Sequence, residues 1–412
     1  MSFSAAATRS PARAIARLVL AASFLVASPA AAQLPSAPPA PPGTSCRPTG
    51  FFTGPARYKS TEVGADGRVT FRVCAPEATE VLVTSTDYAP AIPLGFGGGP
   101  AGLAMAKDTS GLWSATTAVP IEPGTYRYNF RVNGARVPDP QATRFSEERV
   151  GINSVLEVPG ASGAFQAYDA KVPHGAVSTI EYWSTTLGAK RRAHVYTPAG
   201  YTTDATRYPV LYLVHGAGDS DDSWTSVGHA NYILDNLIAA RKAKPMIVVM
   251  PFGHTPDRPG ADMLTNTDFG DDLHTDLIPY VEAHYRTQAN RASRAMAGLS
   301  MGGAHTLRFG LTRPDRFAYV GVFSMGFMDT TQVKSYEAQN AAALRRGAKG
   351  PDAFRLVYYA IGKDDFLYRT VAPTRALLDK YGLRPVYHES GGGHTWVNWR
   401  SYLADFAPRL FR

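Results

Sequence analysis

Two periodicities divide this chain. Between residues 61 and 158 apolar and polar positions alternate in short runs broken by turn residues. The runs 69–73, 80–84, 112–116 and 125–132 each have a period of two, and Asn133-Gly134 is a strong hairpin signal. The pattern predicts a small antiparallel β-sandwich ending near Val158, with a mobile loop at the glycine-rich insert 95–102. After residue 175 the apolar runs become continuous. Residues 210–214 and 246–250 read as strands buried on both faces of a mostly parallel sheet. Between them, 229–243 puts Ile233, Leu234, Leu237 and Ile238 on one face of a helix. Further on, helix is predicted at 269–285, 302–311, 371–381 and 395–407, and strand at 294–299, 319–323, 355–361 and 385–389. Alternating strand and helix predicts an α/β layer architecture.

Composition changes the picture mainly at the N-terminus. At 412 residues, 44% hydrophobic and 18% charged, the chain has the make-up of a globular protein of about two domains. Arg9, Arg13 and Arg17 precede the apolar run 18–26, and Ala30-Ala31-Ala32 follows it, the arrangement of a secretory signal cleaved after Ala32. A membrane anchor fits less well, because the run is too short to span and Ser28-Pro29 interrupts it. Export to the periplasm or the medium is therefore expected, with no membrane association after cleavage. Residues 33–45 are proline-rich and read as an extended tether. The formal net charge of +8 falls to +5 once the three signal arginines are removed, and no basic stripe remains to imply nucleic acid. In an oxidising compartment Cys46 and Cys74 can pair, closing a loop that contributes about 3 kcal/mol in the chain-entropy model. A buried free Cys74 is the alternative.

The candidate chemistry lies in the second half. Gly298-Leu299-Ser300-Met301-Gly302 matches the G-x-S-x-G nucleophile elbow, a serine on a strained turn between strand and helix. The predicted strand before it and helix after it supply the context that the motif requires. A serine hydroxyl needs a base within hydrogen-bond reach and a third group to orient that base. In an α/β-hydrolase these follow in the order Ser, acid, His. Asp364 and Asp365 open the loop after strand 355–361, at the edge where catalytic groups of open α/β sheets collect. Gly391-Gly392-Gly393-His394 puts a histidine at a strand-to-helix junction, and His394 is taken as the base. His388, inside a strand, and His305, five residues past Ser300, read as structural. The oxyanion donors are expected to be the backbone N–H of Met301 and that of Ala217, in the His215–Asp219 loop after a buried strand. Asp271, Asp272, His274 and Asp276 read as a solvated, N-terminally acidic helix and not as metal ligands.

Two resemblances follow from these residues. The run V-T-F-R-V-C-A-P-E-A, then D-T-S-G-L-W-S, E-P-G-T-Y-R-Y-N-F-R-V-N-G and P-D-P resembles the early-set carbohydrate-binding modules found ahead of isoamylases and glycogen-branching enzymes. Trp113, Tyr126 and Tyr128 are its candidate glycan-stacking residues, although aromatics inside alternating strands more often belong to the core. The segments Y-P-V-L-Y-L-V-H-G-A-G-D-S-D-D-S-W, A-N-Y-I-L-D-N-L-I-A, P-M-I-V-V-M-P, A-G-L-S-M-G-G and G-G-G-H-T-W-V-N-W-R resemble the feruloyl esterase branch of the carbohydrate esterases. Enterochelin esterase and the esterase D group are more distant.

With a signal at 1–32, a tether at 33–50 and a linker at 161–175 read from composition, these resemblances imply an immunoglobulin-like sandwich at 51–160 and an α/β-hydrolase domain at 176–412. They favour Asp365 over Asp364 as the acid, since G-K-D-D fits the G-x-x-D of related esterases. They also imply a cell-wall polysaccharide carrying ferulate or acetate esters as substrate, with no cofactor and no metal. Trp396, Phe327 and Phe366 are candidates to pack a cinnamoyl ring, with a place in the core the equal alternative for each. The same motifs serve acetylxylan and ferric-siderophore esterases, the latter opposed by the export signal. A catalytically dead glycan-binding protein is opposed by the intact Ser300, Asp365 and His394.

Overall fold

Alternation becomes pleat in the first part of the chain. A computed structural model describes residues 45–47, 58–94, 101–259 and 266–412. The expected signal at 1–32, most of the expected tether and residues 95–100 of the glycine-rich insert lie outside the described residues. All described residues belong to one unit, Ala40–Arg412. Its first strands are β1 (Thr61–Val63), β2 (Val69–Cys74), β3 (Val81–Thr84), β4 (Leu103–Ala104), β5 (Ala106–Lys107), β6 (Leu112–Thr116), β7 (Gly124–Val132), β8 (Ala135–Val137), β9 (Phe145–Glu147) and β10 (Ile152–Val158). They form two antiparallel sheets, β1-β2-β6-β5 and β4-β3-β7-β10-β9, with β8 paired to β7.

The core of these two sheets takes the inward-facing positions that the period of two predicts: Val69, Phe71 and Val73 from β2, and Tyr126, Tyr128 and Phe130 from β7. Trp113, Tyr126 and Tyr128 are all buried there, so the core expectation holds over glycan stacking. Cys46 and Cys74 form a disulfide with Cα atoms 5.7 Å apart. It ties the end of the tether to β2.

The second part contains one eight-stranded sheet in the order β11-β12-β14-β13-β15-β16-β17-β18. Its strands are β11 (Ala176–Ser184), β12 (Ala189–Thr197), β13 (Val210–Val214), β14 (Ile247–Pro251), β15 (Arg294–Leu299), β16 (Tyr319–Phe323), β17 (Leu356–Gly362) and β18 (Val386–Ser390). β11 and β12 pair antiparallel with each other, as do β12 and β14, and every later pairing is parallel. The helices are α1 (Ser223–Ser226), α2 (Ala230–Ala239), α3 (Asp268–Asp272), α4 (Ile278–His284), α5 (Met301–His305), α6 (Thr330–Ala348), α7 (Val371–Lys380) and α8 (Trp396–Phe406). A π turn at Leu273–Leu277 makes α3 and α4 continuous, and another at Thr306–Gly310 extends α5.

Alternate residues of β13 divide between two cores. Tyr212 and Val214 pack with Phe269, Leu273 and Leu307, while Leu211 and Leu213 pack with Trp224, Ile233, Trp396 and Phe406. Helices therefore cover both faces, which is why β13 to β16 lack the alternation of a half-exposed strand. Among the described residues no helix is long and apolar enough to cross a membrane.

Two elements went unread and one expectation changes. The hairpin β11–β12 and the helix α6 were not legible as elements, and α6 buries only Tyr336, Leu344 and Gly347. The cap at Asp329, whose carboxylate accepts the N–H groups of Thr331 and Gln332, is the signal that could have revealed α6. The acidic segment 271–276 is not simply solvated. Asp272 is buried and accepts from the Tyr182 hydroxyl at 2.7 Å and from Arg191 at 3.4 Å. Asp276 accepts from Ser184 and Thr186, so these acids hold the β11–β12 hairpin to the helix.

Candidate active site

The parallel strands deliver their chemistry to one edge. Ser300 follows β15 directly, with φ +50° and ψ −115°, an arrangement that L residues adopt only under strain. Its N–H donates to the Phe323 carbonyl of β16 at 2.9 Å, and its own carbonyl accepts from Ala304, opening α5. The flanking glycines make this turn possible. A Cβ on Gly298 would lie 2.5 Å from the Gly302 backbone, and one on Gly302 would lie 2.3 Å from the Val214 carbonyl oxygen.

Asp365, 4% exposed, sits on the loop after β17, and His394 on the loop after β18. Both carboxylate oxygens of Asp365 lie 3.0 Å from His394 Nδ1. A carboxylate only accepts, so Nδ1 carries a proton, and in the neutral ring Nε2 is then the acceptor. Asp365 Oδ1 also accepts the Leu367 N–H at 2.8 Å, which orients the carboxylate. The two loops are locked together: Lys363 and Asp364 donate backbone N–H groups to Ser390 and Gly392. The Asn398 amide donates to the carbonyls of Gly391 and Gly393 at 3.0 and 2.8 Å. The His394 ring is held edge-on by Trp399, with centroids 5.0 Å apart, and meets Phe366 at 4.5 Å. Of the two adjacent acids, the one in contact with the histidine is Asp365.

The loop after β13 lies beside the serine, with a Cβ on Gly216 falling 3.6 Å from Ser300 Cβ. Asp219 Oδ2 accepts the Gly216 N–H at 3.1 Å. His215 donates from Nδ1 to the Gly216 carbonyl at 2.8 Å and accepts the Gly253 N–H on Nε2 at 2.8 Å. Among the described residues the Ala217 N–H donates no hydrogen bond, and Ala217 is exposed. Met301 begins α5, so its N–H has no acceptor within the helix. The Met301 N–H follows the serine directly and the Ala217 N–H follows Gly216, so both stay candidate donors. The roles of His215 and Asp219 in shaping this loop were missed from sequence, where only the glycines carried a signal.

Two proposed pocket residues are corrected. Trp396 is fully buried and packs edge-on against Trp224 and Trp399, with centroids 5.1 and 5.2 Å apart. Phe327 is also buried, against Tyr336 at 4.7 Å. Neither lines the cleft beside His394, a space of about 940 Å³ bordered by Phe366 and Thr395 on one side and by Tyr88, Asn129 and Arg131 of the two-sheet part on the other. Only Phe366, 70% exposed, is available to a ligand. His305 and His388 have structural partners: His305 Nε2 donates to the Gly253 carbonyl, and His388 lies 3.5 Å from Asp405. Among the described residues no group of three His, Cys, Asp or Glu side chains could hold a metal ion.

Behind the loop after β13 lie histidines that stay neutral in the folded chain. Burial pushes His254 down to about 4 and His305 to about 3. His229 and His274, elsewhere in the interior, are likewise pushed by burial to about 3 and about 4. Unfolded histidine titrates near 6.5. Between about pH 4 and 6.5 the unfolded chain therefore binds more protons, and stability falls as the pH is lowered. Asp222, raised by burial to about 6, opposes this with a single group. The melting temperature is expected to fall between pH 7 and pH 5, by roughly 2–4 °C for each kcal/mol lost. Circular dichroism melts at constant ionic strength check this, and an unchanged or higher Tm at pH 5 would contradict it.

A two-faced, mostly parallel sheet with a serine elbow after one strand and a histidine–acid pair after the last two is an α/β-hydrolase-type fold. The model of the Esterase family, "Putative esterase", matches residues 184–410, more than half of the chain, and the chain belongs to that family. It is 33% identical over 357 residues to the "Endo-1,4-beta-xylanase/feruloyl esterase" of Xylanibacter ruminicola, covering 85% of this chain and 46% of the relative. An esterase of Mycobacterium tuberculosis is 31% identical over 140 residues, 33% of this chain and 29% of that one. The chain spans less than half the length of these relatives. Among solved structures, the enterochelin esterase from Shigella flexneri superposes with a TM-score of 0.58 at 18% identity, over 85% of this chain and 95% of that one. The fungal CE1 ferulic acid esterase from Anaeromyces mucronatus gives 0.52 at 22% identity, over 60% and 95%. At these identities the structures speak for the fold.

Proposed function

We propose that the protein is an exported serine esterase that removes ferulate from plant cell-wall polysaccharide. The observation that carries this reading is the Asp365–His394 pair, 3.0 Å apart, on the sheet edge where Ser300 occupies a strained elbow beside an exposed oxyanion loop. In this reading Ser300 Oγ attacks the ester carbonyl while His394 Nε2 takes its proton. The N–H groups of Ala217 and Met301 stabilise the oxyanion of the tetrahedral intermediate. His394 then protonates the departing sugar alcohol, leaving an acyl-enzyme. Water, deprotonated by the same histidine, attacks it and returns Ser300 and free acid. Asp365 holds the imidazole in the Nδ1–H tautomer and stabilises its charged form.

The acyl group is argued from the exposed Phe366, whose ring lies 4.5 Å from His394 and offers a stacking face to a phenolic acid. The name of the Xylanibacter relative joins feruloyl esterase to xylanase, which supports feruloylated xylan as the polysaccharide. The two facing antiparallel sheets fit the early-set, immunoglobulin-like module of carbohydrate-active enzymes. The apolar run within residues 1–32 supports a secreted or periplasmic site of action.

Parallel release assays on feruloylated arabinoxylan and acetylated xylan test the reading. Ferulate release is expected to exceed acetate release by at least about tenfold. Acetate release alone would reassign the protein as an acetylxylan esterase. Release of neither, with a short aryl ester still cleaved, would leave the esterase chemistry without the cell-wall substrate.

A further inference from the structure

The outward face of β7 carries Thr125, Arg127, Asn129 and Arg131, opposite to the core-facing Tyr126, Tyr128 and Phe130. Each of these four meets the hydrolase part of the chain or borders its cleft. Thr125 Oγ1 lies 3.3 Å from His229 Nε2, and its carbonyl accepts from Arg400 of α8 at 2.8 Å. Asn129 and Arg131 border the cleft beside His394.

Arg127 stands between them and is buried. Its Nη2 and Nε bond Asp87 at 2.8 and 3.1 Å, and its Nη1 bonds Asp219 Oδ1 at 2.7 Å. The other oxygen of Asp219 accepts the Gly216 N–H of the oxyanion loop. The Arg127 guanidinium also lies over the Trp396 ring, 5.9 Å from its centroid, two residues beyond His394. One planar fork from the two-sheet part therefore contacts the oxyanion loop and the start of the helix that follows the catalytic histidine. A flexible ammonium cannot reproduce that geometry.

Resting on the esterase reading above, we propose that Arg127 is a positioning residue for catalysis, fixing the oxyanion loop through Asp219 and the His394 segment through Trp396. The two-sheet part is then a working component of the catalytic apparatus, including toward substrates with no sugar. That expectation separates this role from glycan binding, since a short aryl ester offers nothing for a carbohydrate module to hold.

The test uses the mature chain with a short aryl ester, and an aryl boronate as a tetrahedral-adduct probe. Arg127→Lys is expected to lower kcat about 10²-fold, the cost of an ångström-scale misplacement of catalytic groups. KM should stay within about threefold, because ground-state binding is not what is lost. Boronate affinity should fall in parallel with kcat. Asp219→Asn should reproduce both effects, and the double variant should lose little more than either single one. Melting curves confirm that each variant is folded at the assay temperature, and Asp219→Asn carries the test if Arg127→Lys is not. A lowered Tm with kcat and boronate affinity within about twofold of wild type would overturn the proposal and leave Arg127 a structural tie. A wild-type chain without Ser300-dependent turnover would overturn the esterase reading, and this inference with it.

Discussion

Ser300→Ala is expected to lower kcat for a short aryl ester by about 10⁶-fold, the loss seen when a serine hydrolase is deprived of its nucleophile. The change should leave the fold intact. Ser300 already holds φ +50°, and alanine has the same Cβ, so no new backbone strain is introduced. Its N–H bond to the Phe323 carbonyl is retained as well. The residual rate should come from the oxyanion donors and binding alone. Steady-state kinetics alongside a melting curve check this. A variant with more than about a hundredth of wild-type activity would remove Ser300 from the nucleophile's role.

Asp365→Asn is expected to cost about 10⁴-fold in kcat. Both oxygens of Asp365 lie 3.0 Å from His394 Nδ1. An asparagine can turn its amide NH₂ toward that nitrogen, favouring the tautomer with the proton on Nε2, where it blocks acceptance of the serine proton. The neighbouring Asp364→Asn should stay within about threefold, since His394 makes no bond to that carboxylate. The contrast matters because the two acids are adjacent in sequence and only one faces the histidine. Equal losses at both positions would mean that the loop, and not a specific carboxylate, is what the chemistry needs.

The elements that carry the site were legible because their signals are local. Val210–Val214, Arg294–Leu299 and Tyr319–Phe323 are strands buried at every position, with the bounds that the sequence suggested. The Gly391-Gly392-Gly393 run before His394 marked a loop at a strand-to-helix junction, and Gly392 takes φ +72°. The β11–β12 hairpin was less legible because it lies at the edge of the sheet, where Ala176 to Thr179 are exposed and the alternation fades. α6 was obscured by its polar composition.

Contact partners were a different matter. Trp396 and Phe327 were open between packing a substrate ring and packing the core, and both are buried in the core. A helix turns successive side chains through about 100°, so proximity along the chain does not choose the face. Asp272 read as solvated within an acidic helix N-terminus, while its partners, Tyr182 and Arg191, lie on the hairpin that the sequence pattern had not revealed.

By itself the sequence determined the architecture and the order of Ser300, the acid pair and His394, because strand period, helix period and glycine placement are properties of a few consecutive residues. Tertiary structure alone decided that Phe366 and not Trp396 faces the cleft and that Arg127 reaches Asp219 across 92 positions of chain, and it places Asp365, which the motif favoured over Asp364, against His394. Such contacts depend on how the twisted sheets and their covering helices come together, and no local pattern encodes which distant carboxylate a buried guanidinium will meet.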